Sequence, residues 1–201
     1  MKSENTDIEK LRIYCHDVSF HSFGKTYIFQ KRVGAYTKLI NFNTVLGIII
    51  PVCIGATVLG YGIENQFLQY LILVAIPLSI FQLLVSTISV AFKWSDELSY
   101  ASEAIQSHQY ISDRFKKLAA FSKNSFDDLD REYEILNAVL QSRKDQDSKH
   151  NLKDWELRMG MRYALREFQR ECVSCKKVPL SMESTTCPVC GNFDNLMYKL
   201  L

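Results

Sequence analysis

The sequence is short of everything that chemistry on a substrate requires. It holds no glycine-rich phosphate loop, no nucleophile set beside a base and no paired acids, so we expect no enzyme. A strong charge of one sign is also missing. A net charge of +2 and a pI of about 8.2 are too mild for extended contact with a nucleic-acid duplex. The first twenty residues carry Lys2, Glu4, Asp7, Glu9, Lys10, Arg12 and Asp17 in place of a cleavable apolar segment, so no signal peptide is expected.

Charge is wholly absent from two long stretches. Thr44 to Gly62, TVLGIIIPVCIGATVLGYG, runs 19 residues without a charge, and Phe67 to Phe92 runs 26. As helices these would be about 28 and 39 Å long against a hydrocarbon core of about 30 Å, so both can span. A buried pair of core helices is the alternative, but it would need a far larger soluble body around it. Only Ile63, Glu64, Asn65 and Gln66 join the two runs.

Lys25, Lys31, Arg32 and Lys38 precede the first run and Lys93 follows the second, while the joining loop offers Glu64 alone. The positive-inside rule therefore places both termini in the cytoplasm. In that reducing compartment, cysteines clustered in the tail are metal ligands sooner than disulfides.

Thr6 with Glu9 three residues on reads as a capping box opening a short helix, with Ile8, Leu11, Cys15 and Val18 on one side. Cys15 there, and Cys53 in the first run, are most simply small apolar residues. The segment SFHSFGKTYIFQKRVGAYTKLINF then alternates aromatic and basic residues, with Phe29, Val33, Tyr36 and Ile40 on one stripe. It suits a helix lying in the membrane interface or one docked on later helices.

Each span holds one proline, Pro51 or Pro77, and Gly47, Pro51 and Gly55 follow at four-residue spacing, which allows close approach of another helix. Ser79, Gln82, Ser86, Ser89 and Lys93 put the polar groups of the second span's inner half on one face. Such a face either hydrogen-bonds to a neighbouring helix or lines a water-filled path, and a path needs several copies of the hairpin.

Beyond Lys93 one helix carrying Leu98, Ala101, Ile105, Phe115 and Leu118 is expected, continuing the second span. After a break at Asn124-Ser125 the residues Phe126, Leu129, Tyr133, Leu136 and Leu140 make a seam of coiled-coil type, suited to self-association. Residues 141–151, QSRKDQDSKHN, have no apolar residue and read as a loop or hinge. A last helix over about 152–170 shows Leu157, Met161, Leu165 and Phe168 on one side. Arg158, Arg162, Arg166 and Arg170 recur on it at four-residue spacing. Asp154 can pair with Arg158 and Glu167 with Arg170, which makes a solvated, salt-bridged face one reading. The other is a site for phosphate, because guanidinium groups bind it bidentately and stay charged.

Cys172 and Cys175, then Cys187 and Cys190, form two CxxC pairs separated by eleven residues. Four thiolates suit a closed tetrahedral zinc, with iron or a redox dithiol pair as alternatives. No coordination position is left open, so the metal would be structural, and Gly191 would let the chain bend back toward the thiolates. The eleven-residue spacer suggests a compact ribbon with a short hairpin through Val178 to Ser184.

Two spans with a minimal loop, a basic aromatic segment before them, a helical extension after them and this tail spacing resemble the SLATT family. The chain is most similar to its mobile-element subgroup named for CxxC-x11-CxxC. The resemblance implies an oligomeric membrane pore of bacterial antiphage defence, gated by a nucleotide or oligonucleotide from a partner nucleotidyltransferase and arresting growth when open. It implies no catalytic residues. A membrane-anchored sensor or adaptor that binds nucleic acid or protein is the competing reading.

The expectation is thus an all-α membrane protein in the bacterial inner membrane. Residues 1–43 hold an N-terminal and an interfacial helix, 44–92 the hairpin (44–62 and 67–92), 93–170 cytoplasmic helices and 171–201 a zinc ribbon. It would assemble as a tetramer or larger, with Ser79, Gln82, Ser86, Ser89 and Lys93 lining the pore and Arg158, Arg162, Arg166 and Arg170 binding the ligand.

Overall fold

A computed structural model describes residues 2–62, 64, 66–120 and 126–194. Five helices follow in order: α1 (Lys2–Tyr61), α2 (Gln66–Ala91), α3 (Trp94–Ala120), α4 (Phe126–Ser148) and α5 (Asp154–Glu167). The side chains of Thr6 and Phe126, the loop residues Ile63 and Asn65, the break at Asn124-Ser125 and the tail beyond Asp194 lie outside the described residues. Two compact units result, one from Met1–Arg32 with Ala101–Leu201, the other from Val33–Tyr100.

The Val33–Tyr100 unit contains the hairpin. The separate N-terminal, interfacial and spanning segments expected before Gly62 are a single helix, α1, which passes through Pro51, as α2 passes through Pro77. Among the described residues, two helices are long and apolar enough to cross a membrane. Their large apolar side chains face outward, with Leu59 90% exposed, Val90 78% and Leu73 70%. Threonine hydroxyls inside these helices are satisfied locally: that of Thr57 donates to the Cys53 carbonyl at 2.8 Å and that of Thr87 to Leu83 at 2.8 Å.

The expected continuation of the second span into the next helix is interrupted. Lys93 takes a left-handed conformation, φ 51°, where its amide bonds back to the Val90 carbonyl and its own carbonyl receives the Glu97 amide to start α3.

The other unit is a bundle built on the first half of α1. Cys15 packs with Ile111, Phe115 and Leu118 of α3 and with Leu129, Leu136 and Leu140 of α4. The seam on α4 is therefore spent inside the chain and does not remain free for self-association. Burial pushes the Cys15 thiol up to about 11, as suits a small apolar residue.

Where α1 crosses α5, Gly24 and Gly160 meet: a Cβ on Gly24 would lie 2.8 Å from the Gly160 carbonyl oxygen, and one on Gly160 2.7 Å from that of Gly24. Only glycine permits backbones this close.

The run expected as a loop is mostly helix, because α4 continues to Ser148. Two of its polar residues, Arg143 and Asp147, are buried as a pair, with Arg143 Nε donating to Asp147 Oδ1 at 3.1 Å, one turn on. The last helix is shorter than expected and its buried face is rotated. Glu156, Met159, Arg162 and Leu165 are buried, whereas Leu157 is 43% exposed. Glu156 belongs inside because it caps the helix at the Lys153 amide (2.7 Å) and pairs with Arg32 (2.7 Å). No strand is formed among the described residues, so Val178 to Ser184 is an irregular loop and not the expected hairpin.

Candidate metal centre

The tail folds as two tight turns, each closed by its own backbone. The Lys176 amide bonds the Cys172 carbonyl at 2.8 Å and the Gly191 amide bonds that of Cys187 at 3.0 Å. Left-handed residues Lys176 (φ 55°) and Asn192 (φ 52°) reverse the chain after each pair. Gly191 itself does not supply the bend expected of it. It is needed because a Cβ there would collide with Thr185.

These turns bring Cys172, Cys175, Cys187 and Cys190 together with all four Sγ atoms within 4.8 Å of one another. Cys172 and Cys187 are 3.8 Å apart, as are Cys175 and Cys190. A tetrahedral ion with metal–sulfur bonds of about 2.3 Å sets its sulfurs about 3.8 Å apart, so the donor set fits such an ion. The backbone amide of Cys190 and then that of Val189 draw the Cys187 thiol down to about 6, while burial pushes Cys190 up. A metal bound here would displace the protons of the thiols that ligate it.

The cluster is anchored on both sides. Cys172, Cys187 and Cys190 pack with Phe20 of α1 and with Ala164 and Leu165 of α5. The arginine row of α5 supplies the polar half of this anchorage. Arg162, buried, donates from Nε to the Ser181 carbonyl at 2.8 Å and from Nη1 to the Cys190 carbonyl at 3.3 Å, with Cys190 Sγ at 4.0 Å. Arg158 bonds the Asn192 carbonyl at 3.0 and 3.2 Å. Arg166 pairs with Glu167, and Arg170 with Asp17 at 3.1 Å. The expected pairs Asp154–Arg158 and Glu167–Arg170 are thus replaced, and each arginine of the row has a partner within the chain. Two of the four hold the cysteine loops.

The polar stripe on α2 faces α1 within the hairpin. Asn43 donates to Ser86 Oγ at 3.3 Å, and the Gln82 amide lies where a side chain on Gly47 would stand, 2.7 Å from that Cβ position. Ser79 and Ser89 are half-buried, and Lys93 is exposed in the turn beyond the helix.

A second cluster escaped sequence reasoning. Asp147 accepts from Lys25 at 2.8 Å, from His108 Nε2 at 2.9 Å and from Arg143, which joins α1, α3 and α4. Burial holds the His108 ring below its ordinary 6.5 and so neutral at pH 7, stacked on Phe29 at 5.5 Å. Burial alone would raise the Asp147 carboxyl, but the donors from His108 and Lys25 hold it well below the usual carboxylate range. The signal was present in two places: a histidine inside the apolar face Ala104, Ile111 and Phe115, and an Arg–Asp pair at i, i+4 in the polar run.

The family model described as Mobilome CxxCx(11)CxxC protein matches residues 12–193, a stretch that includes every cysteine of the cluster. No curated protein and no solved structure matches.

Proposed function

We propose that this chain, which belongs to the mobilome CxxCx(11)CxxC protein family, is a two-span membrane effector of the SLATT type. In this reading residues 44–62 and 67–92 sit in the bacterial inner membrane with both termini in the cytoplasm. The four thiols hold structural zinc, which fixes a sensing body. Hairpins from several copies assemble, tetramer or larger, and open a pore that disrupts the membrane and arrests growth during antiphage defence. The trigger is a nucleotide or oligonucleotide made by a partner nucleotidyltransferase.

The observation that supports this best is the apolar shell of the hairpin, where residues such as Leu59, Leu73 and Val90 are 70% or more exposed. Surface of that kind calls for lipid or another copy of itself. A Cβ on Gly55 or Gly60 would meet nothing, so that side of α1 can receive a neighbouring helix. Ion flux tests the pore: protein in liposomes conducts when the signal is added, and silence at every protein-to-lipid ratio sinks the reading.

A membrane-anchored sensor without a pore is favoured by one observation, that Gln82 and Ser86 are turned toward α1 of their own hairpin. Exchanging both spans for an unrelated anchor separates the two, since a sensor keeps its function and a pore loses it.

A further inference from the structure

Between α3 and α4 lies a groove of about 580 Å³, within the range of small-molecule sites. Its floor holds Arg143, whose side chain is 3% exposed. Nε of that guanidinium is committed to Asp147, deep in the bundle, whereas Nη1 reaches outward to Glu103 at 3.2 Å and Gln146 at 2.9 Å. Glu103 is 66% exposed, and an ion pair so open to water contributes little. Tyr110, 51% exposed, and Val139 form an apolar wall, with Gln106 and Ser142 at the rim.

We propose that this groove binds a small organic anion with a flat body. Its carboxylate or phosphate takes the place of Glu103 on Arg143, and its body lies against Tyr110 and Val139. Once Glu103 moves away, the outward Nη1 offers a charged donor to one oxygen of the anion, while Nε stays on Asp147. The charges linked through Arg143 sum to zero: Glu103 and Arg143 line the groove, and behind them Asp147 is paired with Lys25. Swinging Glu103 into water leaves one positive charge, which the ligand's anionic group neutralises. Glu103 is then a placeholder. Arg143 shares Asp147 with Lys25, so an anion on the guanidinium also alters what holds α1.

This names the ligand site of the gated reading above and rests on that reading only for its consequence, because binding itself is read on the detergent-solubilised full chain. The probe is phenyl phosphate, titrated by calorimetry, with inorganic phosphate and phenol supplying the anion and the body separately. Phenyl phosphate should bind and either fragment should bind about tenfold more weakly or worse. Glu103→Gln should tighten phenyl phosphate roughly two- to five-fold, and Ser142→Trp, which fills the groove, should abolish it. Absence of binding to both wild type and Glu103→Gln overturns the proposal, as does affinity that neither substitution changes. Binding without flux in liposomes removes the gated reading and leaves the site. Signal-gated flux with no phenyl phosphate binding removes the site and leaves the gate.

Discussion

Arg162 shows how far a side chain's role depends on groups distant in sequence. Its charge and spacing were legible, but its partners are carbonyls 19 and 28 residues on, in loops whose path only the metal site determines. Replacing it with Met should cost about 1–3 kcal/mol by leaving the Ser181 and Cys190 carbonyls unsatisfied. Loss of metal to a competing chelator should be faster in the variant, and unchanged release would refute the coupling. Asp147 is more sensitive still. Asp147→Ala strands the buried Arg143 and should cost about 3–5 kcal/mol in denaturant unfolding. The neighbouring His108 sets a pH dependence. Its folded-state pKa lies below 6.5, so the unfolded chain takes up the proton first on acidification. Stability should hold above pH 6.5 and fall as pH drops below it, and His108→Gln should flatten that slope. Asp147 adds to the loss only below its ordinary 3.8.

Among elements, helices were legible and their partners were not. The 3-4 spacing of Leu129, Leu136 and Leu140 fixed both the helix and its buried face, but a seam of that kind fits a second copy as well as it fits α1 and α3. The extension of α4 to Ser148 was hidden because burial there is polar, and hydropathy cannot distinguish a buried Arg–Asp pair from a solvated one. The crossing of α1 and α5 depends on two glycines in particular. Gly160→Val must push apart the backbones at Gly24 and should cost about 1–3 kcal/mol or more. Gly34→Ala, with nothing within 4 Å, should stabilise its helix by about 0.5–1 kcal/mol. Thermal unfolding of the pair separates close packing from helix propensity.

For the whole molecule, the absence of charge over two runs sufficed to identify helices able to cross a membrane, and the CxxC spacing sufficed to identify a clustered donor set. Neither signal contained the absence of strands among the described residues of the tail, because an irregular loop that brings four sulfurs together and is held by two arginines has no periodicity to read. Chelation should therefore free the tail and expose the α1–α5 crossing, seen as faster amide exchange around Gly24 and Gly160. The hairpin helices should keep their protection, and exchange spreading evenly over the chain would contradict this.

The bundle is made of two stretches of chain with the hairpin lying between them in sequence. During synthesis, then, α1 waits for its partners. Lys25 and Arg32 meet Asp147 and Glu156 across separations of 122 and 124 residues, and the cluster closes only after Cys190 has been added. At about 5–20 residues per second, the interval between completion of the hairpin and arrival of that cysteine is roughly 5–20 s. In the reading proposed above, the apolar hairpin therefore meets the membrane before the cysteine cluster can close, and a chain that acquired no metal would keep an inserted hairpin with an open body.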